Sequence, residues 1–289
     1  MSATSVSPPA KRAAHAISVT AGLLTAPLRM LPGFLIVGAQ RCGTTSMYRA
    51  LAEHPSVRKA VLHKGVHYFD MNYGRGLGWY RAHFPLALHG SSGRAAGAAR
   101  PGLAFESSPY YLFHPLAAER IAADLPGVKL IVLVRDPVER AYSAYTHEFA
   151  RGFETEPFES AIELEPDRLT GEAERIAAEP GYLSHSHQHH AYRARGQYTE
   201  QLDRLVRLFD RSAIHVVDSG DFFTRPELVY DGVLAFLGLT SAGYPQFETH
   251  NARPRSAIPD AVRVRLDEHF RPFDEQLTRW LDQVPSWRR

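Results

Sequence analysis

Residues 34–46 read Phe34-Leu35-Ile36-Val37-Gly38-Ala39-Gln40-Arg41-Cys42-Gly43-Thr44-Thr45-Ser46. Four apolar residues in an unbroken run suit a strand buried on both faces, the habit of a parallel sheet. Gly38 ends the run, Gly43 follows, and Thr44-Thr45-Ser46 leads into a helix over 45–53 that stops at His54-Pro55. A strand, a glycine-rich turn and a helix opening bring backbone N–H groups together at the positive end of a helix dipole, so an anion fits there. The two glycines match the outer frame of a Walker A loop. The match stops at that point, because no Lys-Ser/Thr pair follows the second glycine and the cation, Arg41, lies inside the loop. No aspartate clearly closes a strand to hold magnesium. A cation inside the loop suits a donor that carries its transferable group on the 5′-phosphate, with Thr44, Thr45 and Ser46 as hydroxyl donors to that phosphate. Two glycines alone would fit an ordinary strand–turn–helix corner; Gln-Arg before and Thr-Thr-Ser after favour the anion site.

The same alternation continues along the chain. Residues 66–69, 103–106, 129–135 and 213–217 are the other strand candidates, and 129–135 is the clearest. Helices are expected over 77–84, 115–124, 137–151, 157–164, 198–209, 226–237 and 260–281. Asp136-Pro137-Val138-Glu139 has a capping residue, a proline in the first helical position and a glutamate at the third. Strands that alternate with helices predict the α/β class: a single P-loop-type domain with a central, mainly parallel five-stranded sheet covered by helices on both faces. The domain is expected over 31–289, with 1–30 a disordered or loosely packed N-terminal tail.

Composition narrows the function classes. The 289 residues are 44% hydrophobic and 22% charged, enough for a packed core. Thirty-three basic against 31 acidic residues leave a net charge of +2, which gives no case for a nucleic-acid partner but allows a local basic cleft. Cys42 stands alone, so no internal disulfide forms; a reducing, cytoplasmic location is the expectation. Residues 16–30 are too short and too broken to span a bilayer. Lys11 and Arg12 before a weak apolar run make a signal peptide the lesser reading.

Two stretches carry a family resemblance. Pro32 to Ser46 resembles the 5′-phosphosulfate loop of the sulfotransferase superfamily that uses 3′-phosphoadenylyl sulfate, closest to the branch of heparan-sulfate N- and 3-O-sulfotransferases and their bacterial relatives. That family usually has Lys where this chain has Arg41, a planar fork in place of a compact ammonium. Leu133-Val134-Arg135-Asp136-Pro137-Val138-Glu139-Arg140-Ala141-Tyr142-Ser143 resembles the family's 3′-phosphate motif, which implies that Arg135 and Ser143 bind the 3′-phosphate. Arg135 would emerge at the carboxyl end of a central strand, where open α/β sheets bind ligands. Asn251-Ala252-Arg253-Pro254-Arg255 resembles a basic loop that closes over the donor, with Arg253 and Arg255 as its contacts. The resemblance thus implies a donor site of Arg41, Cys42, Gly43, Thr44, Thr45, Ser46, Arg135, Ser143, Arg253 and Arg255. It implies 3′-phosphoadenylyl sulfate as donor, adenosine 3′,5′-bisphosphate as product and no required metal.

Sulfuryl transfer wants a base for the acceptor proton and donors for the leaving phosphate. His63-Lys64-Gly65-Val66-His67-Tyr68-Phe69-Asp70 resembles the segment that bears the heparan branch's catalytic carboxylate, but Gly65 stands in place of its Glu. The base candidates rank His67, which matches the family's His, then His147, four residues after Ser143, then Glu106 at a strand end. Lys64, His67 and Tyr198 are the candidates for substrate contact. His185-Ser186-His187-Gln188-His189-His190 fits no zinc spacing and reads as a solvated loop near the acceptor. The expected activity is sulfuryl transfer to a saccharide, lipid or small-molecule hydroxyl or amine. A nucleotide-dependent kinase and a non-catalytic nucleotide-binding relative are the rivals.

Overall fold

A computed structural model describes residues 20, 22–61, 63–87, 102–248 and 257–289. Five strands, β1 (Pro32–Gly38), β2 (Val57–Lys59), β3 (Leu103–Ser107), β4 (Lys129–Val134) and β5 (Ile214–Asp218), pair in the order β2-β3-β1-β4-β5. All four pairings are parallel. Successive strand residues point to opposite faces. Leu35, Ile36, Val37 and the whole of Leu130 to Val134 are nevertheless at most 1% exposed, so both faces of the central pair are covered. Each such side chain contributes about 1.5–3 kcal/mol by leaving water.

The α-helices among the described residues are α1 (Thr44–Glu53), α2 (Leu77–Arg81), α3 (Ala117–Asp124), α4 (Pro137–Ala150) and α5 (Phe158–Leu169) in the first part of the chain. They are followed by α6 (Glu172–Ala178), α7 (His185–His189), α8 (Tyr198–Leu205), α9 (Ser219–Thr224), α10 (Pro226–Leu237) and α11 (Asp260–Leu281). Helix α1 packs on β1, β2 and β3, while α9, α10 and α11 pack on β5. Val138, Ala141 and Ala144 of α4 meet Phe158 and Ile162 of α5 and Val262, Leu266 and Phe270 of α11 in a second apolar cluster. Residues 22–30 lie against the domain, with Ala26 buried and the carbonyl of Arg29 accepting from Arg81 Nε at 2.6 Å.

Two expectations are corrected. Residues 66–69 form no strand; β2 is Val57–Lys59, and Tyr68–Asn72 is a π-turn. The apolar residues there are buried, but their N–H groups go to side chains instead of a ladder. Val66 N donates to Glu106 Oε2 at 3.0 Å, His67 N to Ser108 Oγ at 3.1 Å and Tyr68 N to the Tyr111 hydroxyl at 2.8 Å. The His-rich stretch is no solvated loop either. Ser184 Oγ caps α7 through His187 N at 2.9 Å, and His187 is buried, stacked on Phe113 and bonded to the Tyr110 hydroxyl at 2.6 Å. Burial pushes its imidazole down to about 3, so it stays neutral.

Candidate active site

The sheet changes direction of winding at β1, with β3 on one side and β4 on the other, and a cleft opens at their carboxyl ends. A cavity of about 620 Å³ sits there, within the usual range for a small-molecule site. Its floor is the turn from β1 into α1. Gly43 caps α1 at φ +80°, a conformation that a side chain would strain, and a Cβ would also press on the Phe223 ring at 3.1 Å. Gln40, Arg41, Gly43, Thr44 and Thr45 line the cavity, whereas Cys42 and Ser46 are buried behind it.

The second wall is β4 into α4. Asp136 accepts from Val138 N at 2.9 Å and Glu139 N at 3.3 Å, and Pro137 takes the first helical position, so the cap forms as the sequence implies. Arg135, Asp136, Ser143, Thr146 and His147 border the cavity from this wall. Arg41, in a left-handed conformation at φ 70°, sends Nε to Ser143 Oγ at 3.1 Å. Arg135 Nη1 donates to the Arg41 carbonyl at 3.5 Å, and its Nη2 lies 3.8 Å from Glu139 Oε2.

Across the cavity, the Lys64 ammonium donates to Thr44 Oγ1 and Thr45 Oγ1, both at 3.0 Å. Burial pushes this ammonium down to about 8, with Glu106 pulling the other way. His67 lies three residues on, also left-handed at φ 53°, with Nδ1 2.8 Å from Asp70 Oδ2. Burial disfavours its charged ring, but the Asp70 carboxylate outweighs that and raises its pKa above the ordinary imidazole value. A Cβ on Gly65 would stand 2.6 Å from the Ser107 carbonyl and 2.7 Å from Ser108 Oγ, so this backbone has no room for a glutamate there.

Two other sequence candidates are not at the cavity. Glu106 is fully buried: Oε1 accepts from Tyr80 and Tyr111, Oε2 from Ser108 and Val66 N. Burial raises its pKa against the pull of those donors. Its work is to shape the segment that carries His67. Tyr198 is a strut behind the loop, 1% exposed, donating to the Arg135 carbonyl at 2.9 Å beside Cys42 Sγ at 3.4 Å. Arg253 and Arg255 fall outside the described residues.

The chain as a whole also matches known proteins. The family model for the sulfotransferase domain matches residues 31–252. The chain belongs to the sulfotransferase family. This sulfotransferase is 28% identical over 288 residues to human heparan sulfate glucosamine 3-O-sulfotransferase 6, covering 90% of its own chain and 74% of that protein. It is 24% identical to the membrane-associated sulfotransferase kil1 of Dictyostelium discoideum, over 90% of the chain and 67% of that protein. The crystal structure of a sulfotransferase from Alicyclobacillus acidocaldarius superposes with a TM-score of 0.68 at 28% identity, covering 90% of this chain and all of that one. These relatives place the enzyme near the heparan-sulfate branch, as the two motifs implied.

Several site residues escaped the sequence reading. Ser219, Gly220 and Phe223 follow β5, and the rule that ligands sit at strand carboxyl ends would have found them. Ser286 and Trp287 arrive from the far end of the chain with no signal: Ser286 N and Oγ bind the Asp218 carboxylate at 2.7 Å each, and Trp287 Nε1 donates to Asp274 at 3.0 Å. Buried Arg195 holds Gln40 of the loop and takes the carbonyls of His187 and Gln188 at 2.7 and 2.8 Å. Through it, α7 braces the loop. Among the described residues, no group of three or more His, Cys, Asp or Glu side chains could hold a metal, and no helix is long and apolar enough to cross a membrane.

Proposed function

We propose that this sulfotransferase uses 3′-phosphoadenylyl sulfate and transfers its sulfuryl group to a hydroxyl or amine of a saccharide, lipid or small molecule. The observation that carries this reading is one cavity walled by both the loop at Arg41–Thr45 and the Arg135–Ser143 helix start, two anion sites within a single nucleotide's reach. The hydroxyls of Thr44 and Thr45 and the start of α1 suit the 5′ end; Arg135, with its planar fork, and Ser143 suit the 3′-phosphate. Phe223 and Trp287 offer aromatic faces to the base.

His67 is the base of this reading. Asp70, while ionised, only accepts hydrogen bonds, so Nδ1 carries the proton that faces it and Nε2 of the neutral ring keeps its lone pair for the acceptor. His147, on the other wall of the cavity, faces the same space and contributes to acceptor placement. The relatives near the heparan-sulfate branch support a saccharide as the first acceptor class to try.

Thermal shift and titration calorimetry with adenosine 3′,5′-bisphosphate, set against ATP plus magnesium, test the donor. Stabilisation by the bisphosphate alone is expected. Stabilisation by ATP and magnesium alone would replace this reading with a kinase. Transfer of labelled sulfate to pooled acceptors then identifies the acceptor.

A further inference from the structure

We propose that Lys64 and Arg41 have exchanged duties in this enzyme: Lys64 is the cation for the 5′-phosphosulfate, and Arg41 joins Arg135 and Ser143 on the 3′-phosphate. The proposal rests on the donor reading above and assigns its charges.

The loop arginine is the cation that position in the sequence nominates for the 5′ end, yet its side chain runs elsewhere. The left-handed backbone at Arg41 turns the side chain towards α4, and Nε reaches Ser143 Oγ at 3.1 Å. Arg135 comes to the same side, with Nη1 on the Arg41 carbonyl. Two guanidinium groups and a serine hydroxyl therefore gather at one end of the cavity. Glu139, the carboxylate beside Arg135, also pairs with Arg263 at 2.5 Å. A phosphate dianion is the ligand that such a cluster fits, through forked hydrogen bonds.

The 5′ end keeps a cation from another segment. Lys64 Nζ donates to the hydroxyls of Thr44 and Thr45 in the first turn of α1. It lies beside the opening of α1 and lines the same cavity, so ammonium and helix dipole can act on one anion. Its own carbonyl accepts from Ser107 N at 2.8 Å, which ties the lysine's main chain to the sheet. A compact ammonium suits the bridging oxygen of a leaving phosphate better than a planar fork does. When the acceptor oxygen bonds to sulfur, the bond between sulfur and that bridging oxygen breaks with its electron pair left on the phosphate. Lys64 faces this charge, and the acceptor proton passes to His67, three residues away on the same segment.

The exchange is tested by titrating adenosine 3′,5′-bisphosphate and adenosine 5′-monophosphate, which lacks the 3′-phosphate, into the wild type, Arg41→Ala and Lys64→Gln. Arg41→Ala is expected to weaken the bisphosphate about tenfold and leave the monophosphate nearly unchanged. Lys64→Gln is expected to weaken both by a similar factor and to lower kcat. Monophosphate binding to the wild type should also weaken between pH 7 and 9 as Lys64 loses its proton around 8, and Lys64→Gln should remove that dependence. Arg41→Lys and Lys64→Met replace any variant that does not fold, judged by circular dichroism. Equal loss of both nucleotides in the Arg41 variant, or unchanged monophosphate binding in the Lys64 variant, overturns the exchange. A wild type that binds no bisphosphate overturns the donor reading instead.

Discussion

His67 enters the cavity from a left-handed backbone, and Asp70 fixes its ring. A raised pKa has a definite sign for a base: the ring is protonated and idle below that pKa and active above it. The rate of sulfuryl transfer should therefore climb with pH along a limb displaced above the ordinary imidazole value of about 6.5. Asp70→Asn removes the carboxylate that raises it and should move the limb to lower pH while reducing the rate; His67→Gln should abolish the limb. A limb unmoved by Asp70→Asn would take the base role from His67. Residue identities were legible in unequal measure. Arg135 and Ser143 were named from the family motif at a strand end, and both line the cavity. Glu106 and Tyr198 were misjudged because spacing does not say whether a polar side chain at an element's end faces the cleft or the core. Lys64 was named as an acceptor contact, although its ammonium reaches a loop 20 positions back in the sequence.

At the scale of the element, the segment from Lys64 to Asn72 has the composition of a strand and the hydrogen bonds of something else. Glu106 takes the place of a neighbouring strand by accepting four donors, one of them Val66 N. Glu106→Leu keeps the apolar volume and strands those donors, each at about 1–3 kcal/mol when left buried without a partner. A loss of about 3 kcal/mol or more is expected in urea unfolding, together with a lower kcat as His67 loses its frame. Unchanged stability would show that the segment holds itself. Apolar alternation measures burial, and here burial and strand pairing part company. The opposite error occurred at β2, where exposed Arg58 and Lys59 hid an edge strand. Helix α7 was missed for a similar reason: four histidines in six residues suggest water, but His187 lies against Phe113 and Tyr110.

Across the whole molecule, the parallel sheet was readable at its centre, because the two central strands are hidden on both faces and are almost wholly apolar. The site was half readable. Its loop and its α4 wall lie inside short local motifs, while its remaining wall is assembled from segments separated by the length of the chain. The family match ends at residue 252, and yet Ser286 and Trp287 border the same cavity, clipped there by Asp218 and Asp274. That clip lets an exopeptidase test the proposed donor. Carboxypeptidase digestion of this chain, followed by mass spectrometry, should be slow through Arg289, Arg288 and Trp287, because Arg289 pairs with Asp221 and Arg288 with Asp267 and Asp274, and adenosine 3′,5′-bisphosphate should slow the loss of Trp287 further. Identical trimming with and without the nucleotide would mean that the indole is a bystander. If the nucleotide protects it, the last few residues of the chain report on occupancy, and the digestion ladder becomes a read-out of binding that needs no acceptor.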